Sequence, residues 1–118
     1  MSKADPDFFL REGDHGGAIP GVLTDDDGVA IDIEGASVRF LMANILTTKR
    51  IAAAANNDQV DAATKGHVSY TWQAGDSDEP GMYNASWEVT YNDGSVETFP
   101  NPGYIKVRVT AKVPAPLP

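Results

Sequence analysis

Residues 83–100 constrain the chain more than any other stretch. Tyr83, Ala85, Trp87, Val89 and Tyr91 alternate with small or polar residues, so one face of a pleated strand is apolar and the other meets water. That pattern predicts a half-buried antiparallel strand. Asn92-Asp93-Gly94 follows, and all three residue types tolerate the positive backbone angles of a tight hairpin turn. Ser95-Val96-Glu97-Thr98-Phe99-Pro100 then reads as the returning strand. An all-β chain is the expectation.

The other segments agree with it. Phe8-Phe9-Leu10 opens a first strand, and Glu12-Gly13-Asp14-His15-Gly16-Gly17 breaks it with turn chemistry. In Ala18-Ile19-Pro20-Gly21-Val22-Leu23 the proline lacks a ladder donor, which suits an edge strand or a bulge. Asp25-Asp26-Asp27-Gly28 reads as a hairpin turn into a strand at 29–33, with Val29, Ile31 and Ile33 on one face. Val38, Phe40 and Met42 point the same way in a strand beginning at Ser37. Residues 45–64 are mixed: Ala52-Ala53-Ala54-Ala55 favours helix and Asn56-Asn57-Asp58 favours a turn, so a short strand pair or a loop is expected. Val68, Tyr70 and Trp72 mark another strand, 73–81 an acidic turn-rich connection, and Ile105, Val107 and Val109 the inner face of a last strand. Residues 113–118, with prolines at 114, 116 and 118, predict an extended polyproline-like tail. About seven to nine short strands punctuated by Gly, Asp and Pro fit an immunoglobulin-like antiparallel β-sandwich with extended termini. The inter-sheet cysteine pair of antibody domains is missing, so only the architecture carries over.

At 118 residues the chain has the size of one domain. The absence of cysteine removes a disulfide scaffold, a thiolate zinc site and a cysteine nucleophile together. Asp5-Pro6-Asp7 interrupts the start, and the sequence predicts neither a signal peptide nor a membrane span. Seventeen acidic residues against nine basic ones give a net charge of −8. Such a surface repels a phosphate backbone and argues against nucleic acid as the partner.

Little in the chain has the makings of catalysis. The histidines are His15, in a glycine-rich turn, and His67, on the polar side of its strand with Ser69 and Thr71, so solvated side chains are expected. Ser69 or Ser37 would supply a nucleophile only by accident of folding. Asp25-Asp26-Asp27 and Asp76-Ser77-Asp78-Glu79 lack the spacing of a helix-loop-helix calcium site and read as wet turns. Asp76 and Glu88 are rejected as a glycosidase pair, because no substrate cleft is visible. Trp72, Trp87, Tyr70, Tyr83, Tyr91 and Tyr104 would suit a sugar platform, yet their strand parity assigns them to the core. Asn84-Ala85-Ser86 is a chance sequon on a strand. No enzyme, no catalytic residue, no cofactor and no metal site is predicted.

Phe9-Leu10-Arg11-Glu12-Gly13-Asp14, the turn Asp27-Gly28 and the run Ile31-Asp32-Ile33-Glu34-Gly35-Ala36-Ser37-Val38-Arg39-Phe40-Leu41-Met42 resemble the N-terminal module of tailed-phage baseplate upper proteins. So do residues 66–76, Gly81-Met82-Tyr83 and residues 93–100. The likeness covers 8–109 and rests on turn and core residues. It implies a non-enzymatic virion component that packs against other phage structural proteins, as a ring or in several copies, at the tail tip, neck or capsid, with neither nucleic acid nor membrane as partner. A carbohydrate-binding or host-adhesion module, or a capsid decoration protein, is the alternative. Residues 1–7 are expected as an N-terminal arm, 8–110 as the sandwich and 111–118 as the tail. Phe8, Phe9, Val113, Pro114, Pro116 and Leu117 are the predicted contact residues, through edge pairing or insertion of a terminus into a neighbour.

Overall fold

A computed structural model describes residues 6–100 and 103–113. Among these residues eight strands follow in order: β1 (Phe8–Arg11), β2 (Ala18–Val22), β3 (Ser37–Asn44), β4 (Arg50–Asn57), β5 (His67–Thr71), β6 (Gly81–Thr90), β7 (Val96–Phe99) and β8 (Ile105–Thr110). Between β4 and β5 lies one turn of 3-10 helix, Ala62–Thr64. The strands form one sheet in the order β1-β8-β6-β3-β4-β5-β2, with β7 beside β6. Every pairing is antiparallel except β1 with β8, which is parallel. The expected all-antiparallel arrangement is therefore corrected to a mixed sheet. The first strand of the chain finds its partner in the last, and that pair happens to run in the same direction.

The sheet curls until it is nearly a barrel. Inward residues from strands far apart in the order meet across the interior, because large aromatics bury the most apolar area there. Phe40 of β3 stacks on Tyr70 of β5 at 4.8 Å between centroids and meets Trp87 of β6 at 5.0 Å. Trp72 stands edge-on to Phe40 at 5.6 Å and 6.0 Å from Phe8 of β1. Val38, Phe40, Met42, Val68, Tyr83, Ala85, Trp87, Val89, Val107 and Val109 are all buried, as their alternation required.

Three local expectations change. Residues 50–57 form a full strand through the four alanines: Ala53 lies opposite Phe40 and Ala55 opposite Val38. Cross-strand pairing overrides the helix preference of alanine, and the small side chains leave room for the aromatic rings. Residues 29–33 form no strand beyond a single bridge from Thr24 to Ala30, and Val29 is exposed. There the amide side chain of Gln59 takes the place of a neighbouring strand, accepting from Ile33 N at 2.8 Å and Gly66 N at 3.1 Å. Asn57 Nδ2 donates to the carbonyls of Ile33 and Ala36. In the β6–β7 hairpin only Gly94 has a positive φ, +87°; Tyr91 N donates to Ser95 O and Gly94 N to Tyr91 O.

The edge position expected for Pro20 is observed. β2 is the terminal strand of the order, and among the described residues its one partner is β5.

Candidate docking groove

β1 and β2 are the two ends of the curled sheet, and they are joined by residues 12–17 yet share no ladder. The seam between them opens into a groove of about 510 Å³, with Ile19–Asp26 along one wall, Asp7, Phe8, Pro100 and Ile105 along the other, and Trp87 and Phe99 at its base. A strand occupies about 4.8 Å by 10 Å in cross-section and rises about 3.4 Å per residue, so this volume holds roughly three residues of extended chain.

Local sequence explains the shape. Ile19 and Leu23 point inward and are buried. Gly21 between them has no side chain, and the indole of Trp87 fills the space: a Cβ at Gly21 would lie 2.9 Å from Trp87 Nε1. Leu23 N donates to Gly66 O, in register with the β2–β5 ladder. Alternation then turns the N–H and C=O of Ala18 and Val22, and the C=O of Pro20, toward the free edge. Proline at the centre removes one donor from that edge, which weakens it as a template for indiscriminate pairing.

The mouth is acidic. Asp25 Oδ1 accepts from the backbone N–H groups of Asp27 and Val29, and Asp7 Oδ2 accepts from Lys106 N at 2.9 Å. The ion pairs among the described residues are Arg39–Glu88 and Lys49–Asp78, so Asp7, Asp25 and Asp26 meet no cation there. By contrast the outer face of β1, β8, β6, β3 and β4 carries Arg11, Lys106, Arg108, Arg39 and Arg50, with Glu88 as the acid among them, by the parity of the pairings. The chain is acidic overall but its charges are segregated.

The predicted contact residues separate. Phe8 is half-buried, packs on the core and lines the groove. Phe9, on the same strand, is 63% exposed, and Val113 is 79% exposed. Pro114, Pro116 and Leu117 lie outside the described residues. Asp7 is joined to β8 through two hydrogen bonds with Lys106, so the end of the expected arm belongs to the sheet.

The residues weighed for chemistry are not assembled. His15 is exposed and His67 half-buried, while Ser69 Oγ accepts from Asn56 Nδ2. Asp76 Oδ2 accepts from the Tyr70 hydroxyl at 2.6 Å and from Gln73 N at 2.8 Å. Burial and this contact push the Tyr70 phenol well above its usual range. Glu88 pairs with Arg39, away from Asp76. Among the described residues no three His, Asp or Glu side chains are grouped to hold a metal ion, and no helix is long and apolar enough to cross a membrane. Of the six large aromatics, Tyr70, Trp72, Tyr83 and Trp87 are core and Tyr91 is half-buried. Tyr104 departs from the expected core placement and is 59% exposed; it precedes β8 and borders a shallow patch with Leu41, Ala52 and Ser86.

Sequence reading missed the groove, because its walls come from residues 7–26 and 87–105. Pro20 was the one local sign of a free edge. No protein-family model matches the chain, and no curated protein matches it significantly.

Proposed function

We propose that the chain is a non-enzymatic structural component of a tailed-phage particle, a minor tail, baseplate or neck protein that docks on other virion proteins. The observation that carries this reading is the β2 edge, free among the described residues, beside an apolar groove. Unpaired backbone groups next to buried aromatic surface suit addition of an extended strand from a neighbour. The resemblance of residues 8–109 to the baseplate module supports the particle, and the net charge of −8 supports a protein partner over nucleic acid. In this reading the architecture is an immunoglobulin-like sandwich. Its support is that β4 pairs with β3 up to Ala55 and with β5 from Asn56 onward, a change of partner of the kind that a strand crossing between two layers makes.

Mass spectrometry of purified particles, followed by cryo-electron microscopy, tests the proposal. A stoichiometric ring or cluster of copies is expected; absence of the chain from particles overturns it. The exposed Tyr104 favours one second reading, a sugar-binding adhesion module. Glycan-array binding abolished by Tyr104→Ala is its test.

A further inference from the structure

We infer that residues 112–117 of a second copy of this chain add as a strand to the β2 edge, with residues 114–116 seated in the groove. The inference rests on the docking reading of the groove and names its occupant.

Three observations converge. The free edge offers backbone groups at alternate positions only: both groups of Ala18 and Val22, and the carbonyl of Pro20. The sequence Lys112-Val113-Pro114-Ala115-Pro116-Leu117 is complementary to it. In an extended chain, alternate residues present N–H and C=O to the same edge. Val113, Ala115 and Leu117 retain their N–H groups and form one edge, while the prolines fall on the other, where no partner is needed. A strand of this kind pairs on one side and cannot recruit a further strand.

The second observation is side-chain parity. An antiparallel pairing that sets Val113 opposite Val22, Ala115 opposite Pro20 and Leu117 opposite Ala18 turns Pro114 and Pro116 inward, onto Trp87 and Phe99 at the base of the groove. Proline rings on aromatic surfaces are the familiar form of recognition for proline-rich segments. The prolines also restrict the free segment to extended conformations, which lowers the entropy lost on docking.

Charge is the third. This direction places Lys112 beside Leu23, at the mouth where Asp7, Asp25 and Asp26 meet no cation among the described residues. Lys112 N already donates to Glu12 Oε1 of its own chain, which leaves its ammonium group free for the neighbour. That same bond holds Lys112 at the β1–β2 turn, the end of the seam remote from Asp25 and Asp26, so a second copy is the donor. The contact is head-to-tail, and it builds a ring or a filament.

The test is self-association of the full chain, followed by sedimentation velocity over a concentration series, with amide exchange at Ala18 and Val22 as the local readout. Ala115→Pro removes the central N–H and lies beyond the last strand, which ends at Thr110; a loss of about tenfold or more in association is expected. Ala115→Val keeps the N–H with its side chain outward and should associate like the parent chain. Slowed exchange at Ala18 and Val22 that grows with concentration in the parent and disappears in Ala115→Pro supports the inference. A chain that stays monomeric, association indifferent to Ala115→Pro, or protection that is independent of concentration, as docking of a chain's own tail gives, overturns it. Because the purified chain suffices, a failure here is separate from absence of the chain from particles.

Discussion

Replacing Gly21 with alanine adds one methyl group at the point where β2 crosses the indole of Trp87. The new carbon would lie 2.9 Å from Nε1, 3.2 Å from Cε2 and 3.3 Å from Cζ2, against about 3.5–4.0 Å for ordinary contact between carbon atoms. Something must move by roughly half an ångström or more. On the core side the ring is blocked: Trp87 is buried and lies 5.0 Å from Phe40, itself fully buried and stacked on Tyr70. Overpacking of this kind costs about 1–3 kcal/mol. Part of that is offset by about 0.4–1 kcal/mol, because alanine has less freedom than glycine in the unfolded chain. A net loss of about 1–2 kcal/mol remains, equivalent to a fall in Tm of roughly 3–10 °C for a domain of this size. Gly17 supplies the control: nothing lies within 4 Å of its Cβ position, and its φ is not in the left-handed region, so Gly17→Ala should gain the entropic term alone. Urea titrations followed by tryptophan fluorescence measure both variants. If Gly21→Ala is as stable as the parent while Gly17→Ala shows its gain, β2 does not rest on the indole and the geometry argued for the groove is wrong.

Phe40→Ala empties the space shared by Tyr70, Trp72 and Trp87 and should cost about 3–5 kcal/mol by the same titration; a cost under about 1 kcal/mol would mean that those rings collapse freely into the void. Asn44 is buried, its Oδ1 accepts from Leu46 N and Thr47 N, and its Nδ2 donates to Glu79, so Asn44→Ala orphans several groups and should cost about 2–3 kcal/mol. Amide exchange of Leu46 and Thr47 should accelerate in that variant, and unchanged exchange would contradict the role given to Asn44. Alkaline conditions should destabilise the fold: burial, the hydrogen bond to Glu97 and the charge of Glu97 push the Tyr91 phenol up to about 12, against about 10 in the unfolded chain. Below pH about 10 both states keep the proton and the contribution is complete; from there to about 12 the unfolded state sheds it first, and stability falls. Urea midpoints across that range should drop less steeply in Tyr91→Phe, and equal slopes would refute the assignment.

The strands that alternate cleanly were legible, because period-two burial needs no knowledge of the partner: β3, β5, β6 and β8 turn inward the residues their alternation marks, although Trp72 and Tyr91 fall just beyond the ends of β5 and β6. β4 was not, since alanine carries no parity signal of its own; only the presence of Phe40 and Val38 opposite makes Ala53 and Ala55 inward residues. Residues 29–33 had the pattern of a strand but not its neighbour, because Gln59 and Asn57 satisfy the backbone there with side chains. That substitution involves residues more than twenty positions away, beyond the reach of a local pattern. The groove was hidden for the same reason. Pro20 announces an edge, but only the curl of the sheet brings Trp87, Phe99 and Ile105 beneath it.

The pairing of β1 with β8 bears on synthesis as well as on stability. Arg11 bonds to Ala111, 100 positions further on, and among the described residues β1 has no partner but β8 in the sheet. At about 5–20 residues per second, a ribosome takes roughly 5–20 s to make the stretch between them. Throughout that interval Phe8 and Leu10, which pack on the core in the finished fold, have no strand to join, while the hairpin of β3 and β4 can already close. The nascent chain must therefore carry its most hydrophobic N-terminal residues unprotected until the last strand is out, and it is at this step, rather than in the finished molecule, that chaperone dependence should concentrate.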